Sequence, residues 1–419
     1  MPGARGTVEG ALTAVRRQLE PLRNRDFRLL AIATLGSSVG TLLAAIALAI
    51  DIKDRTNSGL WIGAVLIVAF FPTVVVGLLF GPLLDRLRRR NLMITADITR
   101  AAVFCALPFV STPGAIVALA SVAGLANGFF RPAVYAGVPN LVTDEDLPAA
   151  NALLQSMENI SWAIGPVLGG LLTAAAGPHA SYWINAVSFA FSAVLISRIP
   201  ANRLQSETAL TKGHWRDLRE GFVVVMRSRP LLAVLIGWGI ACLAIGATNV
   251  AEVFLAKNTF HAGDFGYGLL YGAIGGGLIA GSFLGSSLID RLGLARTYAG
   301  GLLLMAAGFA GAAVSPNVWV AAGCAAVGGC GDGAAIVCNA VLVQRGAPDE
   351  VRGRALTLVM GATYAITAGA NVIAGYLLDY VSPRWIWGGA AIVYVVAAVV
   401  GYALAREPQA VGATVEPAH

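Results

Sequence analysis

Residues 81–90 read Gly81-Pro82-Leu83-Leu84-Asp85-Arg86-Leu87-Arg88-Arg89-Arg90, and 205 positions further on the theme returns as Ser286-Ser287-Leu288-Ile289-Asp290-Arg291-Leu292-Gly293. Each copy sets an aspartate beside an arginine at the mouth of an apolar run long enough to cross a bilayer. Two copies in matching surroundings make the chain a membrane protein built from two related halves. The same offset carries Gly170 onto Gly375, and brings the acidic pair Asp144 and Glu145 to Asp349 and Glu350.

Composition agrees. Of 419 residues, 57% are hydrophobic and 12% charged, and the mean hydropathy is +0.72. A soluble protein averages about 25% charged residues, so the bilayer is the solvent this chain calls for. Twelve apolar runs of spanning length occur near 27–50, 60–83, 92–110, 115–138, 150–175, 181–198, 231–255, 266–288, 298–315, 318–343, 355–378 and 385–405. The expected fold is therefore all-α, with twelve transmembrane helices in two pseudo-symmetric six-helix bundles. The expected segments are a terminal stretch 1–26, a bundle 27–198, a linker 199–230, a bundle 231–405 and a tail 406–419. Residues 8–20 read equally as a surface amphipathic helix or as an unstructured tail.

Net charge +6 follows topology rather than a nucleic-acid partner. With both termini cytoplasmic, four of the 29 basic residues fall outside (Lys53, Arg55, Lys257, Arg384) and two within helices (Arg100, Arg131); the rest are cytoplasmic. That is the positive-inside asymmetry. The five cysteines (Cys105, Cys242, Cys324, Cys330, Cys338) lie in spans without a CxxC pair, as packing residues rather than metal ligands. No G-x-x-x-x-G-K-[ST] stretch is present, so ATP is not expected to act on this chain. No cofactor is expected beyond an ion gradient, no metal, and no enzymatic cluster.

Glycine recurs at helix-packing spacing as Gly268, Gly272, Gly276 and again as Gly277, Gly281, Gly285, with Gly165 and Gly169 as a further pair. Small residues at this spacing let helices approach closely in lipid.

Gly81-x-Leu83-x-Asp85-Arg86-x-x-Arg89-Arg90 resembles the loop 2–3 signature of the major facilitator superfamily, G-x-L-x-D-R-x-G-R-R/K. Arg88 departs from it, standing where a glycine is usual, whereas Gly293 keeps that glycine in the repeat. Gly165-Pro166-Val167-Leu168-Gly169-Gly170 resembles the end of the motif of drug–proton antiporters, although Ala152 and Ser161 replace its upstream glycines. Phe130-Arg131-Pro132-Ala133, Pro139-Asn140-Leu141-Val142, Ala150-Asn151-Ala152-Leu153-Leu154 and Val351-Arg352-Gly353-Arg354-Ala355 are similar to a bacterial exporter branch that includes siderophore and macrolide exporters. The resemblance covers about residues 22–405. It implies parallel repeats related by an axis along the membrane normal, alternating access, and residence in the bacterial inner membrane. It also implies a cytoplasmic gate at Gly81, Asp85, Arg86, Arg89, Asp290 and Arg291. Asp85 is expected near Ala355, where the positive end of span eleven's helix dipole attracts a carboxylate.

Charges inside a bilayer are costly and usually functional. Asp97, Arg100 and Arg131 form an expected intramembrane network: Asp97 and Arg100 share a helical face at i, i+3, and Asp97 and Arg131 lie at similar depth on adjacent spans. Asp332, between Gly331 and Gly333 near the midplane of span ten, has Asn127 as its first-half counterpart. The superfamily fold places spans one, four, seven and ten around the central cavity, so Asp332 is expected to exchange a proton there or to hold a cationic substrate. Glu158 and Glu252 are further candidates for the route, with Glu252 equally able to reach Lys257 at the outer interface. Trp238, Tyr267, Tyr271 and Phe129 are candidate aromatic surface for an apolar substrate.

These residues point to a secondary transporter, expected to be a monomer, that exports amphiphilic small molecules in exchange for protons. The alternatives are a proton-coupled uptake symporter, which the Gly165–Gly170 stretch argues against, and a non-transporting sensor or scaffold on the same fold.

Overall fold

The computed structural model describes residues 19–79, 87–205, 222–347 and 349–406. Gly81, Asp85 and Arg86, residues 8–18, the middle of the linker and the tail from 407 lie outside the described residues, as does the expected approach of Asp85 to Ala355.

Helices α1 Arg25–Thr56, α2 Gly59–Leu79, α3 Arg89–Ala106, α4 Pro113–Gly137, α5 Leu147–Ala176 and α6 Pro178–Ser197 build the first half. Helix α7 runs Arg229–Thr259. It is followed by α8 Gly263–Leu292, α9 Leu294–Val314, α10 Val318–Gly346, α11 Asp349–Leu377 and α12 Pro383–Ala405. No strand occurs among the described residues. Eleven of these helices are long and apolar enough to cross a membrane; α2 holds the remaining place in the row, with a described apolar stretch at Gly59–Ala69.

Local chemistry sets the ends. Asn24 caps α1, its Oδ1 accepting from the amides of Asp26 (2.9 Å) and Phe27 (3.3 Å), while its Nδ2 donates to Leu141 O at 2.6 Å. Asn317 caps α10 in the same way. Proline opens α4, α6 and α12, where its missing N–H costs nothing. The two copies of the Asp-Arg motif part company at one residue. Gly293 ends α8 with φ +82°, a left-handed value suited to glycine. Arg88 instead takes φ −68° and ψ 109°, an ordinary extended conformation from which α3 starts. The chain thus enters α3 without the glycine turn that the repeat uses before α9.

Packing repeats between halves. α1 lies on α5 and α6, α2 on α4, and α3 on α4 and α6; correspondingly α7 lies on α11 and α12, α8 on α10, and α9 on α10 and α12. The halves meet chiefly through α5 against α8 and α2 against α11. Both seams are closed by glycine. A Cβ on Gly268 would lie 2.6 Å from Pro166 O, and one on Gly63 would lie 2.8 Å from Asn371 O. A Cβ on Gly170 would meet Asp264 O at 2.8 Å, one on Gly375 would meet Gly59 O at 2.6 Å, and one on Gly59 would meet Gly375 O at 2.4 Å. Within each pair of contacts the residues correspond at the 205-residue offset, so the duplication written in the sequence is present in the contacts themselves.

The α8 ladder differs from expectation at one rung. Gly268 and Gly272 face α5, but the third residue against α5 is Gly275; a Cβ on Gly276 would meet nothing. Gly277, Gly281 and Gly285 face α10 as expected. The seam contacts sit toward the face opposite the one that carries Arg25, Arg203, Arg229 and Arg406. On that opposite face Lys257 of α7 reaches Asp54 of α1 at 2.7 Å and Asp264 of α8 at 2.6 Å, joining the two halves.

Gly268→Ala, whose methyl must displace backbone, is expected to lower stability relative to Gly276→Ala by about 1–3 kcal/mol. The thermal midpoints of the two purified variants in one detergent measure the difference.

Candidate functional site

On the terminal side of the glycine seams lies a cavity of about 890 Å³, its open mouth included, walled by α1, α3, α4, α5 and α11. Thr34, Ser37, Ser38 and Thr41 lie three or four residues apart, so α1 presents them on one face. The hydroxyls of Thr34, Ser37 and Thr41 donate to the carbonyls of Leu30, Thr34 and Ser37, which leaves oxygen lone pairs as acceptors. α4 supplies Asn127, Phe130, Arg131 and Tyr135, and α5 supplies Leu154, Glu158, Ser161 and Trp162. Tyr364 of α11 is the lining residue from the second half.

Two ion pairs back this wall. Arg100 Nη2 donates to Asp97 Oδ1 at 2.5 Å, Ser192 Oγ donates to Asp97 Oδ2 at 2.7 Å, and Arg100 Nη1 donates to Asn127 Oδ1 at 3.1 Å. The Arg100 guanidinium lies between the rings of Phe130 and Phe189, 4.2 and 4.3 Å from their centroids. Nearer the mouth, Arg131 donates to Glu158 Oε2 at 2.6 Å and the Tyr135 hydroxyl donates to Glu158 Oε1 at 3.1 Å.

The i, i+3 pairing of Asp97 with Arg100 was expected; a pairing of Asp97 with Arg131 was not met. Asp97 is spent on Arg100 and Ser192 in the interior of the first half, and Arg131 turns instead to Glu158 on α5. Asn127 and Glu158 line the cavity as expected. Asp332 does not. With Gly331 packed on α9 and Gly333 on α8, Asp332 lies within electrostatic reach of Cys242 on α7 and Tyr394 on α12. Its buried Oδ1 has no hydrogen-bond partner among the described residues. Glu252 also lies off the cavity and away from Lys257, which is held by Asp54 and Asp264. It is 1% exposed, with Oε1 unpartnered, near Tyr267 and Tyr271. Those tyrosines meet edge to face at 6.3 Å, and Tyr271 stacks on Trp162 of the cavity wall at 6.1 Å and 12°. Tyr271 thus lies beside both Glu252 and the Trp162 of the cavity wall. Trp238 packs against the apolar core.

The Gly165–Gly170 motif serves two seams from one helix: Gly165 and Gly169 press on α1 at Leu42 and Leu43, while Pro166 O and Gly170 abut Gly268. Arg89 does not bridge the halves in its described bonds. It donates to Ala136 O at 2.8 Å and Leu204 O at 3.3 Å, and Arg90 donates to Ser197 O. Both arginines cover carbonyls at the ends of α4 and α6, where a cation complements the helix dipole. Asp290 and Arg291 are exposed in the last turn of α8.

Several participants were not singled out in the sequence. The hydroxyl face of α1 was visible in its spacing. Tyr135 and the Asp54–Lys257–Asp264 cluster had no local signal, since their partners come from other helices.

A family model described as transmembrane secretion effector matches residues 16–415. The chain belongs to this family of major facilitator transporters. It is 25% identical to the multidrug efflux pump Tap of Mycolicibacterium fortuitum over 84% of this chain and 88% of that one. It is 26% identical to macrolide efflux protein A of Streptococcus pyogenes over 48% of this chain and 52% of that one; the match thus spans about half the length of that relative. In fold it is similar to a bacterial homologue of the iron transporter ferroportin crystallised in an inward-facing state, with a TM-score of 0.72, 17% identity, and coverage of 91% of this chain and 99% of that one. The protein is a multi-pass membrane transporter.

Asp97→Asn is expected to cost about 3–5 kcal/mol, because Arg100 is left as a buried unpaired charge. Arg131→Gln removes a half-exposed cation and leaves Glu158, 13% exposed, with the Tyr135 hydroxyl, so it is expected to cost less, about 1–3 kcal/mol. Chemical or thermal unfolding of the two variants ranks them.

Proposed function

We propose that the chain exports amphiphilic small molecules across the bacterial inner membrane by alternating access, with protons moving the opposite way. The observation that carries the proposal is the division of the molecule into a sealed side and an open side. Glycine seams and the Lys257 ion pairs join the halves toward one face, and the cavity lies on the other side of them. In the topology we assign, twelve spans form two six-helix bundles with both termini cytoplasmic, so the cavity faces the cytoplasm and is placed to load an export substrate. The efflux activities named for the similar proteins support the direction.

The unpaired carboxyls Asp332 and Glu252 are the proposed proton carriers. Both lie inside the second half without a cationic partner among the described residues, unlike Asp97 and Glu158. A carboxyl in low dielectric with no counter-ion is most easily accommodated neutral, and reopening to water lets it release the proton. The gate we assign to Gly81, Asp85, Arg86, Asp290 and Arg291 closes the cytoplasmic side in the opposite state. The transporter works as a monomer and needs no cofactor beyond the proton gradient.

In proteoliposomes with an imposed pH gradient, labelled amphiphiles are expected to accumulate against their own gradient while dissipating the proton gradient. Asp332→Asn and Glu252→Gln are each expected to abolish that exchange and to leave the protein folded. Movement only down the substrate's gradient, with no proton flux, would sink the antiport proposal.

Lys257→Met is expected to shift the population toward separation at the sealed face. Distances between spin labels at the outer ends of α1 and α7, measured by double electron–electron resonance, should lengthen.

A further inference from the structure

The polar groups that the cavity offers are not balanced between donors and acceptors, and this imbalance bears on which molecules it selects. Both acids of the wall are already committed. Asp97 is fully buried behind the lining, with Arg100 and Ser192 on its two oxygens. Glu158 accepts from Arg131 and Tyr135, one on each oxygen, and its side chain is 13% exposed. The cations keep donors in reserve. Arg131 is bonded to Glu158 and lies beside Tyr135, yet about half of its side chain stays exposed at the cavity wall. Arg100 also lines the cavity, and its Nε–H, in a side chain 4% exposed, has no acceptor among the described residues. Among the described residues, the side-chain atom that is buried without a partner and belongs to a cavity-lining residue is therefore a guanidinium donor.

A buried donor without an acceptor costs roughly 1–3 kcal/mol, and a guanidinium fork matches a carboxylate's two oxygens. Around these cations the wall is apolar and aromatic, with Leu42, Phe130, Val134, Leu154 and Trp162. The opposite side, α1, shows hydroxyl oxygens whose hydrogens are already used on the helix backbone.

Building on the export assignment above, we infer that the cavity selects acidic amphiphiles: an apolar or aromatic body with a carboxylate, or a like anionic group, held by Arg131 on α4 with Arg100 behind it. Hydroxyl or amide donors elsewhere on the molecule meet the α1 hydroxyl oxygens. The carboxylate shares Arg131 with Glu158, so loading loosens the tie between α4 and α5. This assignment reverses the charge preference that a lone Asp332 in the cavity would have implied.

Three matched fluorescent probes test it on the purified full-length protein: dansyl-phenylalanine, its carboxamide, and dansyl-cadaverine. Binding is read by energy transfer from tryptophan. The acid is expected to bind at least tenfold more tightly than the carboxamide, with the amine weaker still. In Arg131→Lys, which keeps the charge but loses the fork, the preference should fall severalfold. In the double variant Arg131→Gln/Glu158→Gln, which removes both charges together and strands neither, the acid should bind no better than the carboxamide. Size-exclusion profile and thermal midpoint verify that this variant is folded. Equal or tighter binding of the carboxamide or the amine by the unmodified protein overturns the inference. So does an acid preference that survives in the double variant. Export itself is judged separately: proton-coupled movement of the amine in vesicles would leave the transport proposal standing while acid selection fell.

Discussion

The architecture depends on how closely two backbones approach where the halves meet. In lipid, apolar side chains gain nothing by leaving the solvent for a neighbouring helix, so van der Waals contact must hold the helices together. At α5–α8 and α2–α11 that contact is between glycines and carbonyl oxygens with no side chain between. The positions are Gly170 with Asp264, Gly268 with Pro166, Gly375 with Gly59, and Gly63 with Asn371. Side chains take part farther along α5–α8, where Val167 sits on Gly272 and Trp162 stacks on Tyr271. The two seams are copies of each other, and the cavity lies to one side of them.

The halves share a fold but divide the electrostatic work. In the first half each intramembrane acid has a partner: Asp97 with Arg100 and Ser192, Glu158 with Arg131 and Tyr135. At the offset positions of the second half, Leu302 and Met305 stand for Asp97 and Arg100, and Asp332 stands for Asn127. The duplicated helix therefore keeps a polar residue at one depth and loses its counter-ion. The first half pairs its intramembrane acids, whereas Asp332 and Glu252 of the second have buried oxygens without a partner among the described residues.

Much of this was legible in the chain. Period and length placed the helices to within a few residues, because a span must match the bilayer whatever it packs against. The repeat of Asp85-Arg86 at Asp290-Arg291 identified the duplication, and the offset proved to hold for individual seam contacts. Charge partners were less legible. Asp97 with Arg100 is a pairing within one helix, and local spacing revealed it. Arg131 with Glu158 joins two helices whose rotation the sequence does not state, so depth alone suggested Asp97 wrongly. Asp332 was placed at the right depth but in the wrong direction, because the packing of Gly331 and Gly333 decides which way that turn of α10 faces. Arg88, anomalous as sequence, takes an extended backbone that needs no glycine.

Lys257 holds one carboxylate from each half, Asp54 and Asp264. When the halves part at that face, Asp264 travels with Lys257 on the second half, and the lysine is never left without an anion. Asp54, already half exposed, goes into water. The ion-pair contribution to opening is then the exchange of one exposed pair for hydration, on the order of 0–1 kcal/mol. The sealed face is in this respect closer to a ratchet tooth with a shallow notch than to a lock.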